Sequence, residues 1–136
     1  MTPGDVLRKI TPMEVFREFT FDAAHRLENL PEGHKCARMH GHTYRLVVHV
    51  GGAVDDRVGW VVDFAEVKRH AGEVIAPLDH RVLNEVEGLG QPTTERIAVW
   101  IWDRLKPRLP GLTKVTLWEN ASSGVTYRGE PIGTGS

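Results

Sequence analysis

The 136-residue chain has a single cysteine, Cys36, so an intramolecular disulfide is excluded, and with it the class of small disulfide-stabilised domains. No apolar run approaches the roughly 20 residues of a membrane-spanning helix, and residues 1–12 lack the apolar core of a signal peptide. Lys and Arg total 17 against 18 Asp and Glu, without the basic stripe typical of a nucleic-acid-binding protein. These absences predict a cytoplasmic protein with no membrane or nucleic-acid partner.

The patterns that are present predict an α+β fold. Period-two alternation predicts strands at residues 14–21, 42–50, 114–119 and 125–128. Helical spacing predicts two helices between these pairs of strands, one capped by Asp63 and the other by Thr93 or Thr94. The order predicts one four-stranded antiparallel sheet, formed from two hairpins, with the helices on one face. Its edge strands would be available to pair across subunits.

Four of the seven histidines fall within eighteen residues. His40 and His42 are two apart at the start of a predicted strand, so their imidazoles point to the same face, and Gly41 leaves room between them. His25 follows the end of the first predicted strand, which we expect to pair with the strand that carries His40 and His42. Three neutral imidazoles with an open fourth position are typical of catalytic zinc, which makes these three the predicted ligands. His34, in a loop, competes with His25 for the third position.

Cys36 precedes His40 by four residues. Lys35 lies directly before it, and Arg38 lies two residues after it. A thiolate forms more readily near cations or a metal. From spacing alone Cys36 is a general base, a nucleophile or a fourth zinc ligand. In the last case the site would be coordinatively closed and structural.

Two further groups carry acid–base chemistry. Asp79 precedes His80, and an aspartate can orient an imidazole and stabilise its charged form, although an exposed histidine beside a helix-end aspartate is the simpler interpretation. Glu119 shares a strand face with Leu117 and Val115, where a carboxylate needs a partner. That partner would be either a ligand offering two N–H donors side by side or a salt bridge at the strand end.

The segments FTFDAAHRL, EGHKCARMHGHTY, GWVVDFAEVK, LDHRVLN, PTTERIAVWIWD and VTLWEN together resemble the 6-pyruvoyl-tetrahydropterin synthase family. Within it they are most similar to the bacterial 6-carboxy-tetrahydropterin synthases of queuosine (7-deazaguanine) biosynthesis. The resemblance implies a tunnelling fold (T-fold) over residues 14–130. The length of the chain predicts a single domain, 1–136, and the prolines, glycine and weak periodicity of residues 1–12 predict a loose arm. The resemblance further implies homo-oligomers, usually hexamers, whose sheets join into a β-barrel with active sites at subunit interfaces.

The resemblance also implies roles for individual residues. The metal and proton-transfer groups would be the zinc ligands His25, His40 and His42, the catalytic Cys36, and the pair Asp79 and His80. Glu119 would anchor the pyrimidine edge of the pterin, and Thr93, Thr94 and Glu95 would line its pocket. Lys35 is a candidate for binding the triphosphate group of the substrate.

The implied substrate is 7,8-dihydroneopterin triphosphate. The carboxy branch releases triphosphate and acetaldehyde and leaves 6-carboxy-5,6,7,8-tetrahydropterin, whereas the pyruvoyl branch releases triphosphate alone. Three residues separate Cys36 from His40, which favours the carboxy branch. The rival hypotheses are a non-catalytic zinc- or pterin-binding module with a closed site, and a zinc hydrolase in which Cys36 and Glu119 have no role.

Overall fold

The computed structural model describes residues 12–130, which form five strands, two α-helices and two short 3₁₀ turns. The strands are β1 (Pro12–His25), β2 (His40–Ala53), β3 (Arg81–Val82), β4 (Leu112–Trp118) and β5 (Gly124–Tyr127). The helices are α1 (Phe64–Ile75) and α2 (Thr94–Leu105), and the 3₁₀ turns span Lys35–Ala37 and Leu83–Glu85. The predicted loose arm, residues 1–12, lies outside the described residues except for Pro12, which opens β1.

The strands form one sheet in the order β3-β1-β2-β4-β5. β1 and β2 pair antiparallel along their whole length. β4 pairs antiparallel with residues 45–50 of β2, and β5 pairs antiparallel with residues 115–118 of β4. The α+β class and the four long strands are as predicted, but the count of four is corrected to five. β3 pairs parallel to β1 through Arg81 and Val82, in a segment that the sequence analysis assigned to a loop. Two residues are too few for a period-two pattern to be detected.

Both helices begin at the caps that the sequence indicates. The Asp63 carboxylate accepts a hydrogen bond from the Ala65 amide at 2.9 Å, and Thr93, rather than Thr94, caps α2 by accepting from the Arg96 amide at 3.3 Å. Each bond satisfies one of the amides that a helix start leaves without a partner. In the described part of the chain, neither helix has the length and apolarity to cross a membrane.

The core lies between the helices and one face of the sheet. On β2 it comprises Tyr44, Leu46 and Val48, all fully buried, and α2 packs against the sheet with an apolar stripe that includes Ile97 and Ile101. Burying each such side chain contributes about 1.5–3 kcal/mol. Because side chains alternate along a strand, the even-numbered residues of β2 face the helices, and this places the start of β2 over the end of the core.

Candidate metal centre and active-site cavity

The register of β1 and β2 brings three histidines together at the end of the sheet. His25 lies directly opposite His40, and His42 lies opposite Ala23, with all three side chains on the helix-covered face. The Nε2 atoms of His25 and His40 are 3.1 Å apart, and the three residues each place a ring nitrogen within 4.8 Å of the other two. His25 is buried, whereas His40 and His42 are partly exposed. This is the arrangement that strand parity predicts.

Hydrogen bonds to main-chain carbonyls orient two of these rings. His25 donates from Nδ1 to the Pro92 carbonyl at 2.7 Å, and His40 donates from Nδ1 to the Arg38 carbonyl at 2.7 Å. With protons on the Nδ1 atoms, both Nε2 atoms present lone pairs towards each other. His42 Nε2 is buried and has no hydrogen-bond partner in the range 12–130. In metal sites, the ligating histidines usually donate their other ring N–H to a carbonyl or carboxylate, which fixes the orientation of the ring. His25 and His40 show this arrangement.

The local electrostatics favour the metal-binding form of the rings. Burial is the main cause that lowers the pKa of His25 and of His42, so both stay neutral at neutral pH. The Glu119 carboxylate opposes this shift, because its Oε1 lies 3.6 Å from His25 Nε2 and 3.4 Å from His42 Nε2. The histidine cluster could therefore hold a divalent ion, and three imidazole nitrogens suit zinc.

A cavity of about 400 Å³ opens beside the cluster. Its lining comprises Lys35, Cys36, His40, His42, Glu119 and Asn120. The cavity thus joins the predicted thiol, two predicted metal ligands and the predicted anchoring carboxylate on one wall. Glu119 shares the face of Leu117, as parity predicts, but its proximity to the imidazoles was not foreseen.

Cys36 and His34 lie in the loop beside the cluster and outside it. Among residues 12–130, neither offers an atom within 4.8 Å of all three clustered imidazoles. Instead, the Cys36 amide donates to His34 Nδ1 at 3.1 Å, which caps the 3₁₀ turn that carries the thiol. In the described part of the chain, the cluster therefore contains His25 rather than His34, and Cys36 lies outside it.

The side chains of Asp79 and His80 lie in close contact beside a second cavity. His80 Nδ1 lies 2.9 Å from Asp79 Oδ1, and the left-handed backbone of His80 (φ +59°) lets the adjacent side chains meet. The Asp22 amide donates to Asp79 Oδ1 at 3.0 Å, which holds the carboxylate. His80 lines this cavity of about 480 Å³, and its lining shares only His42 with the Cys36 cavity. Within one chain, the structure does not bring the pair to Cys36.

The predicted pocket-lining segment at the start of α2 is also separate from Cys36. Thr94 is buried, while Thr93 and Glu95 line a third cavity, of about 590 Å³, which Val125 and Tyr127 of β5 also line. The link to the cluster is Pro92, whose carbonyl accepts from His25. Sequence reasoning missed Asn120, which lines the Cys36 cavity beside Glu119. It also missed the carbonyls of Pro92 and Arg38, since main-chain groups leave no signal in the sequence.

The 6-pyruvoyl tetrahydropterin synthase family model matches residues 14–130. A 6-carboxy-5,6,7,8-tetrahydropterin synthase from Synechocystis is 39% identical over 119 residues, covering 83% of this chain and 91% of that protein. A 6-pyruvoyl tetrahydrobiopterin synthase from Pongo abelii is 40% identical, covering 86% and 92%. A dihydroneopterin monophosphate aldolase from Pyrococcus furiosus is 40% identical, covering 78% and 89%.

The solved structure of Caenorhabditis elegans 6-pyruvoyl tetrahydropterin synthase superposes with a TM-score of 0.82 at 30% identity, covering 90% of this chain and 99% of that one. The tunnelling fold implied by the sequence resemblance is thereby confirmed. The sheet of a single chain is open, with β3 and β5 at its edges.

Proposed function

The chain belongs to the 6-pyruvoyl tetrahydropterin synthase family, and from that membership we propose that it is a zinc-dependent lyase acting on 7,8-dihydroneopterin triphosphate. With water, the substrate gives 6-carboxy-5,6,7,8-tetrahydropterin, acetaldehyde and triphosphate, as a step of queuosine biosynthesis in the cytoplasm. The observation that carries the proposal is the single cavity that Cys36, Glu119 and two histidines of the cluster, His40 and His42, line together. A zinc hydrolase that activates a water molecule on the metal would not require the Cys36 thiol.

His25, His40 and His42 are the residues that would hold zinc. A zinc ion there supplies Lewis-acid chemistry, which lowers the pKa of the hydroxyl groups on the substrate side chain. The carbonyls of Pro92 and Arg38 orient the rings of His25 and His40 before an ion binds, which would reduce the rearrangement that these two ligands require.

Cys36 is the proposed general base. Its place in the cavity wall, outside the ligand cluster, leaves its sulphur free to accept a proton from a side-chain carbon of the substrate. The distinction matters, because a thiolate bound to zinc would be both coordinated and less basic. The adjacent Lys35 provides a cation at the same cavity for the triphosphate.

Glu119 is the proposed anchor of the pterin ring. A carboxylate can accept two parallel N–H bonds from the amidine-like edge of a pyrimidine, which fixes the ring in both position and orientation. Glu119 already lines the cavity with its side chain 27% exposed, so it is reachable from solvent. Anchoring the ring here would direct the substrate side chain towards the cluster, since Oε1 lies 3.4 Å from His42 Nε2.

Asp79 and His80 are the proposed second proton-transfer group. Because His80 lines a different cavity from Cys36, we propose that the working site is assembled between subunits of a homo-oligomer, a hexamer with a closed β-barrel. In such an assembly the His80 side chain, 77% exposed in the single chain, would meet the substrate bound beside a neighbour's cluster. The open edges at β3 and β5 provide the strands for such contacts.

The choice of the carboxy branch depends on the short loop. Relatives named for carboxy synthase, pyruvoyl synthase and aldolase activity are all 39–40% identical to this chain, so overall identity does not separate the reactions. The three-residue gap between Cys36 and His40 supports the carboxy product.

Product analysis tests the proposal. Zinc-loaded protein is incubated with 7,8-dihydroneopterin triphosphate, the pterins are identified by mass spectrometry, and acetaldehyde is trapped as a hydrazone. Equal amounts of carboxy-tetrahydropterin and acetaldehyde are expected, and chelator-treated protein serves as the control. A pyruvoyl product without acetaldehyde would move the chain to the other branch. Dephosphorylation alone would support a hydrolase, and unchanged substrate a binding module.

A further inference from the structure

Two amide side chains hold the chain between His25 and the Cys36 loop. Asn84 accepts from the Arg26 amide at 2.9 Å through Oδ1 and donates to the Arg26 carbonyl at 2.8 Å through Nδ2. Gln91 repeats the pattern two residues on, accepting from the Glu28 amide at 2.8 Å and donating to the Glu28 carbonyl at 2.6 Å. We call this set of four hydrogen bonds the amide clamp.

The amide clamp begins directly after the backbone pairing between β1 and β3 ends. β3 pairs with β1 only as far as Val82 and Ala24, and Asn84 and Arg26 are each two residues further along. A primary amide offers both a donor and an acceptor, so it can bond one residue's N–H and C=O as a neighbouring strand would. Asn84 and Gln91 thus extend the edge of the sheet through side chains.

Leu27, between the two clamped residues, holds the catalytic loop. Its amide donates to the Cys36 carbonyl at 2.9 Å. In extended chain, the main-chain groups of successive residues point to opposite sides. With Arg26 and Glu28 turned to the amides, the Leu27 N–H is turned to the other side, where Cys36 lies. The four bonds on one side therefore fix the direction of the single bond on the other.

We propose that Asn84 and Gln91 are positioning residues that set the place of the Cys36 thiol relative to the histidine cluster. The proposal rests on the proposed function in taking Cys36 as the base. Neither amide lines the Cys36 cavity, so both act through the segment 26–28 rather than on the substrate. The histidines need no such support, since His40 and His42 belong to β2 and His25 pairs directly with β2.

The test uses graded variants at each position. Asn84→Leu and Gln91→Leu remove the donor and acceptor together, whereas Asn84→Asp and Gln91→Glu keep an acceptor for the amide of Arg26 or Glu28. Glu85→Ala is the matched control, because Glu85 is an exposed residue of the same 3₁₀ turn as Asn84. Val74→Ala, at a buried residue of α1, controls for loss of stability alone.

Three quantities are measured on the zinc-loaded protein: the labelling rate of the thiol, the zinc content, and kcat with KM. Since Cys36 is the only cysteine, a thiol reagent reports on it alone. Each leucine variant should label about tenfold faster and have a kcat about tenfold lower, because each loses two hydrogen bonds that restrain the loop. Zinc content and KM should stay at the wild-type values, and the acidic variants should be intermediate.

Labelling and kcat equal to those of Glu85→Ala in every variant would overturn the proposal. Loss of zinc in the leucine variants would also overturn it, because the clamp would then support His25 rather than Cys36. If a leucine variant does not fold, the acidic variant at the same position decides by the same criteria. If wild-type protein shows no turnover, the proposed function fails, while the labelling rates still decide whether the clamp positions the thiol.

Discussion

The paired strands and the loops of this protein hold their functional groups in different ways. His25, His40 and His42 lie on or at the ends of β1 and β2, where fourteen consecutive pairs fix the register. Cys36 lies on a three-residue 3₁₀ turn, whose cap is the side chain of His34. A register shift would disrupt every pair of the ladder, whereas the loop depends on a few separate hydrogen bonds. Metal binding should therefore tolerate loop mutations that abolish chemistry.

The largest effect should come from the strands. His42→Ala removes one of the three proposed ligands and should weaken zinc binding by more than the roughly 10–100-fold typical of losing an outer hydrogen bond, with turnover lost as well. Zinc competition with a chromogenic chelator measures the affinity. The matched control is His49→Ala, on the same strand but the opposite face. Unchanged zinc affinity in His42→Ala would mean that the cluster is not the metal site.

Cys36→Ala should separate chemistry from metal binding. Removal of a general base typically costs 10²–10⁴-fold in kcat. Zinc content should stay at the wild-type level, because Cys36 lies outside the cluster. Metal analysis of the purified variant, beside a Cys36→Ser control of similar size, gives the result. Loss of zinc from both variants would restore the closed-site interpretation.

The same contrast decides how much the sequence could predict. Strand parity alone placed His40 and His42 on one face, and Glu119 with Leu117, because alternation is a local property of each strand. The contact between Asp79 and His80 depends on a left-handed backbone at His80. No pattern in the sequence predicts that backbone conformation. β3 is stabilised by its neighbour β1 rather than by its own two residues. Long-range hydrogen bonds of this kind have no periodic signal.

Asp79 and His80, next to β3, should be needed for turnover but not for zinc binding. His80→Gln should lower kcat by about 10²-fold, at the lower end of the range for a general acid or base, and leave zinc binding unchanged. A shared site adds a sharper test. Mixing the Cys36→Ala and His80→Gln chains under conditions that exchange subunits should give more activity than the sum of the two variants measured separately. No such gain in mixed oligomers, with exchange verified by mass labels, would place both groups within one chain's own site.

Protons should compete with metal at the strands. Burial lowers the pKa of both His25 and His42 below the ordinary 6.5, so near that pH the unfolded chain binds more protons than the folded chain. In the metal-free protein, the contribution of these two neutral histidines to the free energy of unfolding should be complete above about pH 6.5. It should be lost as the pH falls through their folded-state pKa values. A melting temperature lower by a few degrees at pH 5.5 than at pH 7.5 is expected.

Zinc-free His42→Ala, which lacks one of the two groups, should lose less than the wild-type protein over the same pH interval. An equal loss in the two proteins would assign the effect to other groups. His49 is one such group, because burial lowers its pKa as well. The comparison between variants, rather than the slope itself, therefore isolates the cluster.

Tyr44→Phe should have the smallest effect, and it tests how self-sufficient the strand-borne cluster is. The Tyr44 hydroxyl is buried 3.4 Å from His25 Nδ1, a long contact, whereas the Pro92 carbonyl lies at 2.7 Å and on its own suffices to hold the ring. The phenyl ring would still stack on Phe21 at a centroid separation of 5.0 Å. Zinc affinity should therefore change by less than about threefold, since outer bonds of full strength are worth 10–100-fold. A larger loss, measured by the same chelator competition, would show that His25 depends on a second outer partner. Register would then not suffice to build the cluster.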